Sequence, residues 1–456
     1  MSELKREELT VRRERALLVD VVRPEPGLDE EHVLDELASL ARTAGAAVVL
    51  RVVQKRTAVD PSCYVGRGKA EELARLVKAH RIECIICDSD LTPAQIRNLE
   101  RVVECKVVDR SELILDIFAA HARTNEARLQ VELAQLEYTY PRLTRMWSHL
   151  SRLESGLGPA GGIGTRGPGE QQLEVDRRLV RRRVTDLRRR IRAIERRKAQ
   201  EVADRSDHYT VCLVGYTNAG KSSVMNALTD AGVKVEDQLF ATLDTRTRAW
   251  DLGDHEHVLL SDTVGFVKDI PHHLITSFRA TLEEARQADL LLHVVDASHP
   301  EVSPQMDAVL EVLRGLGCEG TPALTVFNKM DLVLRDEAPE GAEVSEGGRA
   351  EAELLMLRQK FPEHVCVSAL RGEGLDGLRL AVRERMERGM VDARVRAPAG
   401  DGRLISYLTE RSRILSRTYR DAKVELTLRI WPRYLDSARR GNRGLEVLEQ
   451  GPSGSA

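Results

Sequence analysis

The chain reads as a multi-domain α/β protein, and three observations predict it. Strand-like and helix-like segments alternate through residues 16–120, as they do where parallel strands are joined by helical crossovers. Residues 176–200 combine a dense run of arginines with apolar positions at helical spacing. Beyond residue 208, apolar strand-like runs each end in a short polar string, the pattern of a sheet whose carboxyl edge carries a site. The expected architecture is a small parallel α/β amino-terminal domain (10–121), a long helical hairpin with a glycine-rich tip (122–205), a phosphate-loop core (208–390) and a small α+β carboxyl-terminal domain (400–450). A length of 456 residues suits about three domains or more.

Composition narrows the class. With 42% hydrophobic and 31% charged residues the chain is that of a soluble globular protein. No run of 18 apolar residues is present, and the hydrophilic start Met1-Ser-Glu-Leu-Lys-Arg lacks the apolar centre of a secretory signal, so a cytoplasmic location is expected. Seven cysteines, an odd number scattered along the chain, argue against a disulfide framework.

In the amino-terminal domain, 16–21, 46–53, 83–87 and 106–108 read as strands, and 30–43, 69–80, 93–103 and 112–120 as helices. Cys84 and Cys87 match C-x-x-C, but they fall in a buried strand where residues three apart face opposite ways, so core packing is expected rather than a metal. Gly66 and Gly68, in Tyr64-Val-Gly-Arg-Gly-Lys69, suit an anion or a simple helix-entry turn equally well.

The hairpin's first arm, 125–153, places Leu129, Leu133, Leu136 and Leu143 on one stripe, and Pro141 is expected to kink or interrupt it. The second arm carries Val180, Val184, Leu187, Ile191 and Ile194 at a 4-3-4-3 spacing, a coiled-coil-like seam. Residues 176–200 hold twelve Arg or Lys against three acids, so the remaining surface is cationic and suits nucleic acid better than solvent alone. Candidate RNA contacts are Arg177, Arg181, Arg182, Arg188 and Arg189. The joining segment 156–170 has seven glycines in fifteen residues, among them Gly161, Gly162, Gly164 and Gly167 around Arg166. It suits either a hinge or a tip whose backbone enters a tight RNA site.

The core opens with the strand-like run 211–214, followed by Gly215-Tyr216-Thr217-Asn218-Ala219-Gly220-Lys221-Ser222, a match to G-x-x-x-x-G-K-[ST] at the start of a helix. Its glycines let backbone amides turn toward a polyphosphate, Lys221 supplies a cation for the outer phosphates, and the Ser222 hydroxyl suits magnesium. After the run 323–327 comes Asn328-Lys329-Met330-Asp331. The Asp331 carboxylate can accept from both N1–H and the 2-amino group of guanine, which adenine lacks, so the expected ligands are GTP and GDP. Lys329 would lie along the base, and Asn328 would tie this loop to the phosphate loop.

Asp262-Thr263-Val264-Gly265 follows the run 257–260, placing Asp262 to hold magnesium through water and the Gly265 amide to sense the γ-phosphate. Ser368-Ala369-Leu370 follows 365–367 and would pack on the guanine. Between the phosphate loop and Asp262 lies Phe240-Ala241-Thr242-Leu243-Asp244, where Thr242, with Thr245 as the alternative, would complete the magnesium shell. The expected catalytic set is Lys221, Thr242 and Gly265. Phe266 stands where many small GTPases place a water-orienting glutamine, so intrinsic hydrolysis should be slow. Asn218 occupies the position that related GTPases use for potassium, and a turn-forming asparagine is the equal alternative.

Residues 335–352 read as a surface insertion, 391–400 as a linker, 404–416 as a helix and 423–431 as a strand.

Together these strings resemble the HflX family of ribosome-associated P-loop GTPases. The resemblance rests on Tyr64-Val-Gly-Arg-Gly-Lys69, Asp90-Leu-Thr-Pro-Ala-Gln-Ile-Arg-Asn-Leu-Glu100, Leu129-Gln-Val-Glu-Leu-Ala-Gln-Leu136, Gly161-Gly-Ile-Gly-Thr-Arg-Gly-Pro-Gly-Glu170 and Leu239-Phe-Ala-Thr-Leu-Asp244, and it spans about residues 15–390. It implies a monomeric cytoplasmic GTPase that binds the ribosome's large subunit and its rRNA rather than DNA, with the glycine tip toward the peptidyl-transferase region. It also implies GTP-dependent splitting or rescue of ribosomes under stress, and ATP binding with RNA remodelling by the amino-terminal part. Two other readings stay open from the residues: an ATP-dependent RNA-remodelling enzyme centred on 1–204, and a scaffold using GTP only as a signal.

Overall fold

The computed structural model describes residues 14–24, 32–154, 168–204, 208–229, 240, 245–253, 256–268, 284–333, 354–420, 422–442 and 444–452. The described residues of Met1–Arg197, Val235–Thr245 and Val264–Leu282 form one compact unit, and those of Lys198–Lys234, Arg246–Thr263 and Glu283–Ala456 form another.

In the first unit, β1 (Arg15–Val22), β2 (Ala47–Lys55), β3 (Cys84–Cys87) and β4 (Lys106–Asp109) make a parallel sheet in the order β2-β1-β3-β4. The crossovers are α1 (Asp35–Thr43), α2 (Arg67–His80) and α3 (Pro93–Val103), and α4 (Arg110–His121) follows β4. Helix α3 starts sharply because Thr92 and Gln95 form a reciprocal capping box and Pro93 fits the first turn. Cys84 and Cys87 are fully buried in β3, and burial pushes both thiols up, as core packing requires.

The hairpin arms are α5 (Asn125–Glu154) and α6 (Pro168–Asp204). Leu133, Leu187 and Ile191 form their buried seam, with Leu129, Leu136 and Val184 packed beside them. The seam is flanked by Arg183 on Glu132 at 2.8 Å and Arg188 on Glu137 at 2.8 Å. Of the two outcomes expected at Pro141, interruption does not occur: α5 runs through it. A proline removes a single amide donor from the ladder, and the rest of a thirty-residue helix carries the continuity.

The second unit begins with β5 (Thr210–Gly215), α7 (Lys221–Thr229), β6 (Arg246–Gly253) and β7 (Glu256–Asp262). There follow β8 (Leu290–Asp296), α8 (Val302–Gly315), β9 (Ala323–Asn328), α9 (Met330–Val333), β10 (His364–Cys366) and α10 (Leu375–Arg388). The sheet order is β10-β9-β8-β5-β7-β6, parallel except for the antiparallel pair β6/β7. Strands β5 and β8 are buried except at one end residue each, which explains their continuous apolar runs. The expected insertion at 335–352 lies outside the described residues.

The last portion corrects the sequence reading twice. Residues 391–398 are no linker: they form the interior strand β11 (Val391–Pro398) of the last sheet. The expected helix 404–416 is instead α11 (Gly402–Arg411) followed at once by β12 (Ser412–Arg420). Strand β13 (Lys423–Ile430), α12 (Pro432–Gly441) and β14 (Glu446–Pro452) complete a βαββαβ unit with antiparallel order β12-β13-β11-β14, the split βαβ topology. In β11, Ala393, Val395 and Ala397 face the core while charged residues alternate outward, a period-two signal cut short by Pro398 and Gly400. The domain is seated on the core by Arg433, which reaches the Asp289 carboxylate at 2.6 Å and the His208 carbonyl at 3.2 Å. Trp431 lies beside Tyr209 at 5.3 Å between ring centroids.

Candidate functional site

Three of the expected strings emerge at one edge of the six-stranded sheet, at the carboxyl ends of β5, β7 and β9. Gly215 ends β5 against β8, and a Cβ there would overlap the Val294 carbonyl. Gly220 adopts φ +90°, and a Cβ there would collide with the Asn328 side-chain amide. Both positions therefore demand glycine for close backbone approach. Asn218, between them, sits exposed in the left-handed region at φ 60°, which asparagine tolerates.

Lys221 is buried, and its Nζ donates to the carbonyls of Gly215 at 3.2 Å and Tyr216 at 2.8 Å. Burial lowers its pKa to about 8, partly offset by the Asp262 carboxylate. The Ser222 hydroxyl donates to Asp262 Oδ2 at 2.6 Å, bringing together the two oxygen ligands expected for a hard cation. Asp262 is fully buried, and Thr263 anchors the end of β7 by donating to the Leu213 carbonyl at 2.7 Å. Thr217 adds a buried hydroxyl that finds no partner among the described residues. An orphaned buried donor in this loop fits a phosphate oxygen.

The base-side loops are joined to the phosphate loop by one residue. Asn328 donates through Nδ2 to the Ala219 carbonyl at 3.0 Å and accepts at Oδ1 from the Ala369 amide at 3.1 Å. Asp331 is buried and accepts from the Ser368 hydroxyl at 2.7 Å, which orients its carboxylate. Met330 donates its amide to the Val367 carbonyl at 3.2 Å, and Lys329, at φ 62°, pairs with Asp296 at 2.7 Å. Leu370 stands 85% exposed.

Sequence reasoning missed two residues here. Asp296 ends β8 at the same sheet edge and holds Lys329, a position visible in the sequence as the acid closing an apolar run. His293 in β8 is buried, and burial, with nearby Lys221, lowers its pKa to about 4, so it is neutral at physiological pH. No local pattern marks it.

The remaining expected residues are placed less completely. Ala241, Thr242, Leu243 and Asp244 lie outside the described residues, as do Gly161, Gly162, Gly164, Arg166 and Gly167. Phe240 is buried at φ 57°, its ring edge-on to Phe118 at 4.6 Å within the first unit. Val264, Gly265 and Phe266 belong to that unit and are buried. On α6, Arg182 is exposed, Arg181 donates to the Tyr140 hydroxyl at 2.7 Å, and Arg189 pairs with Asp186 at 2.9 Å. Arg188 is spent partly on Glu137, so the cationic face is less free than composition alone implies. The Arg177 side chain lies outside the described residues. Among the described residues no cluster of His, Cys, Asp or Glu suits a separate metal, and no helix is long and apolar enough to cross a membrane.

Three family models match in succession. One, described as GTP-binding GTPase N-terminal, covers residues 31–119; one described as GTP-binding GTPase Middle Region covers 121–205; one described as 50S ribosome-binding GTPase covers 210–329. The chain is similar to GTPase HflX of Magnetococcus marinus, 44% identical over 86% of this chain and 87% of that one. It is equally similar to GTPase HflX of Escherichia coli, 44% identical over 82% and 83% of the two chains. Among solved structures it is similar to a GTP-binding protein from Sulfolobus solfataricus in complex with GDP, at 23% identity and a TM-score of 0.41, covering 82% and 98%.

Proposed function

Because this chain belongs to the HflX family of GTPases, we propose that it is a GTP-driven switch that binds the large ribosomal subunit and splits or rescues ribosomes. The observation that carries this reading is the line Ala219–Asn328–Ala369 with Asp331 held on Ser368, which supports a phosphate loop and a guanine reader locked into one rigid edge.

In this reading Lys221 leaves the two loop carbonyls it now caps and turns to the β- and γ-phosphates, where its charge is worth more. The Ser222 hydroxyl and Thr242 would hold magnesium, with Asp262 holding it through water, and the ion would neutralise phosphate charge. Thr217 donates to a phosphate oxygen. Thr242 and Gly265 respond to the γ-phosphate and release when it leaves. Buried Phe266 supplies no water-orienting group, so turnover is slow until the ribosome, or potassium at Asn218, supplies the missing one. The arginines of α6 meet ribosomal RNA.

GTP turnover with and without purified large subunits tests it. Stimulation that disappears at high salt and in Lys221→Ala is expected. Turnover indifferent to subunits, with no subunit binding, removes the ribosome from the account.

A further inference from the structure

The hairpin is the obvious cationic element, but the carboxyl-terminal domain, which none of the three family models reaches, holds a second one. Residues 411–423 contain five Arg or Lys and one acid, and most of them lie on β12. Among the described residues that strand pairs only with β13, so it is an edge of the sheet.

The broad face of the same sheet is chemically different. There Arg394 and Arg396 share Glu425, Arg429 pairs with Asp392 at 2.8 Å, and Lys423 pairs with Glu446 at 2.9 Å. Its charges are largely tied up in these ion pairs, and its central strands β11 and β13 carry no aromatic residue on which a base could stack. The edge is unbalanced. Arg417 and Arg420 form no ion pair among the described residues, and Tyr419 is 58% exposed with the Arg417 guanidinium 5.0 Å from its ring centroid. Charges on an edge strand discourage strand-to-strand association, but that need is met by either sign and is worked against by an exposed aromatic ring. The register sets Arg417 and Tyr419 across from Leu426 and Val424 on one face of the edge, and Arg420 across from Lys423 on the other. A cationic and an aromatic planar group together, with a further arginine on the same edge, are what a single-stranded polyanion with flat bases requires.

We propose that β12 is a second RNA-contacting edge, with bases stacking on the Arg417–Tyr419 pair and phosphates met by Arg417 and Arg420. The inference rests on the large-subunit reading above and adds a contact site to it.

The test uses the full chain, loaded with a non-hydrolysable GTP analogue, and two probes: purified large ribosomal subunits and protein-free large-subunit rRNA, each over a salt series. Replacing both arginines (Arg417→Gln with Arg420→Gln) should flatten the log–log salt slope by about 1.4 to 1.8 on both probes, since each lost phosphate contact is worth about 0.7 to 0.9. Tyr419→Ala should weaken binding about tenfold, and Tyr419→Phe should restore it. Turnover without ribosomes should not change. Unchanged slope and affinity in these variants overturn the proposal alone. Weakening on intact subunits but not on protein-free rRNA also overturns it, because the partner is then a protein. A wild-type chain that binds neither probe overturns the ribosomal reading and this one together.

Discussion

Single residues carry the nucleotide chemistry, and each makes a checkable demand. Gly220→Ala would place a methyl group on the Asn328 amide and force a left-handed backbone on alanine. A loss of about 1–3 kcal/mol in thermal unfolding is expected together with weakened GTP binding, because Asn328 links the two loops. Asp331 offers a second demand. Asp331→Asn replaces one acceptor with a donor, so guanine's 2-amino group is no longer satisfied while the 2-oxo group of xanthine is. Competition binding should show preference moving from GTP to XTP, and unchanged preference would deny Asp331 its role. Lys221 sets the pH dependence. The folded chain releases this proton at about 8, against an ordinary value of 10.5 in the unfolded chain, so stability of the nucleotide-free protein rises with pH across that window. GTP affinity runs the other way, because polyphosphate favours the charged ammonium. Affinity should fall by up to about tenfold per pH unit above about pH 8, and a flat profile there would contradict the assignment.

At the scale of elements, what the sequence revealed depended on whether the signal was local. The strands feeding Gly215, Asp262 and Asn328 were legible because a buried parallel strand is apolar along its whole length and the string after it is short. The hairpin seam was legible because Val184, Leu187 and Ile191 repeat at helical spacing. Strand β12 was not, because an exposed edge of arginines shows no alternation, and helical periodicity in α11 carried the reading past Arg411 into it. Asp296 is visible in the sequence as the acid closing an apolar run, but its pairing with Lys329 joins residues far apart in the chain and leaves no local trace. The seam makes its own prediction. Leu187 is fully buried between the arms, so Leu187→Ala should cost about 2–5 kcal/mol locally and speed amide exchange in α5 and α6, while leaving GTP affinity alone.

For the whole molecule the claim is that the nucleotide governs engagement of the ribosome. The family shown by the comparisons is one of GTPases, and the sheet edge that carries Lys221 and Asp331 lies in the second unit while the arginine arm α6 lies mostly in the first. A nucleotide can shift RNA engagement only by binding the engaged state more tightly than the free one. The most direct measurement is therefore the affinity of the full chain for purified large subunits with a GTP analogue, with GDP and with no nucleotide, at fixed salt. Binding tightened at least about tenfold by the GTP analogue over GDP, and lost in Lys221→Ala, is the result the account predicts. Equal affinity in all three states would contradict it.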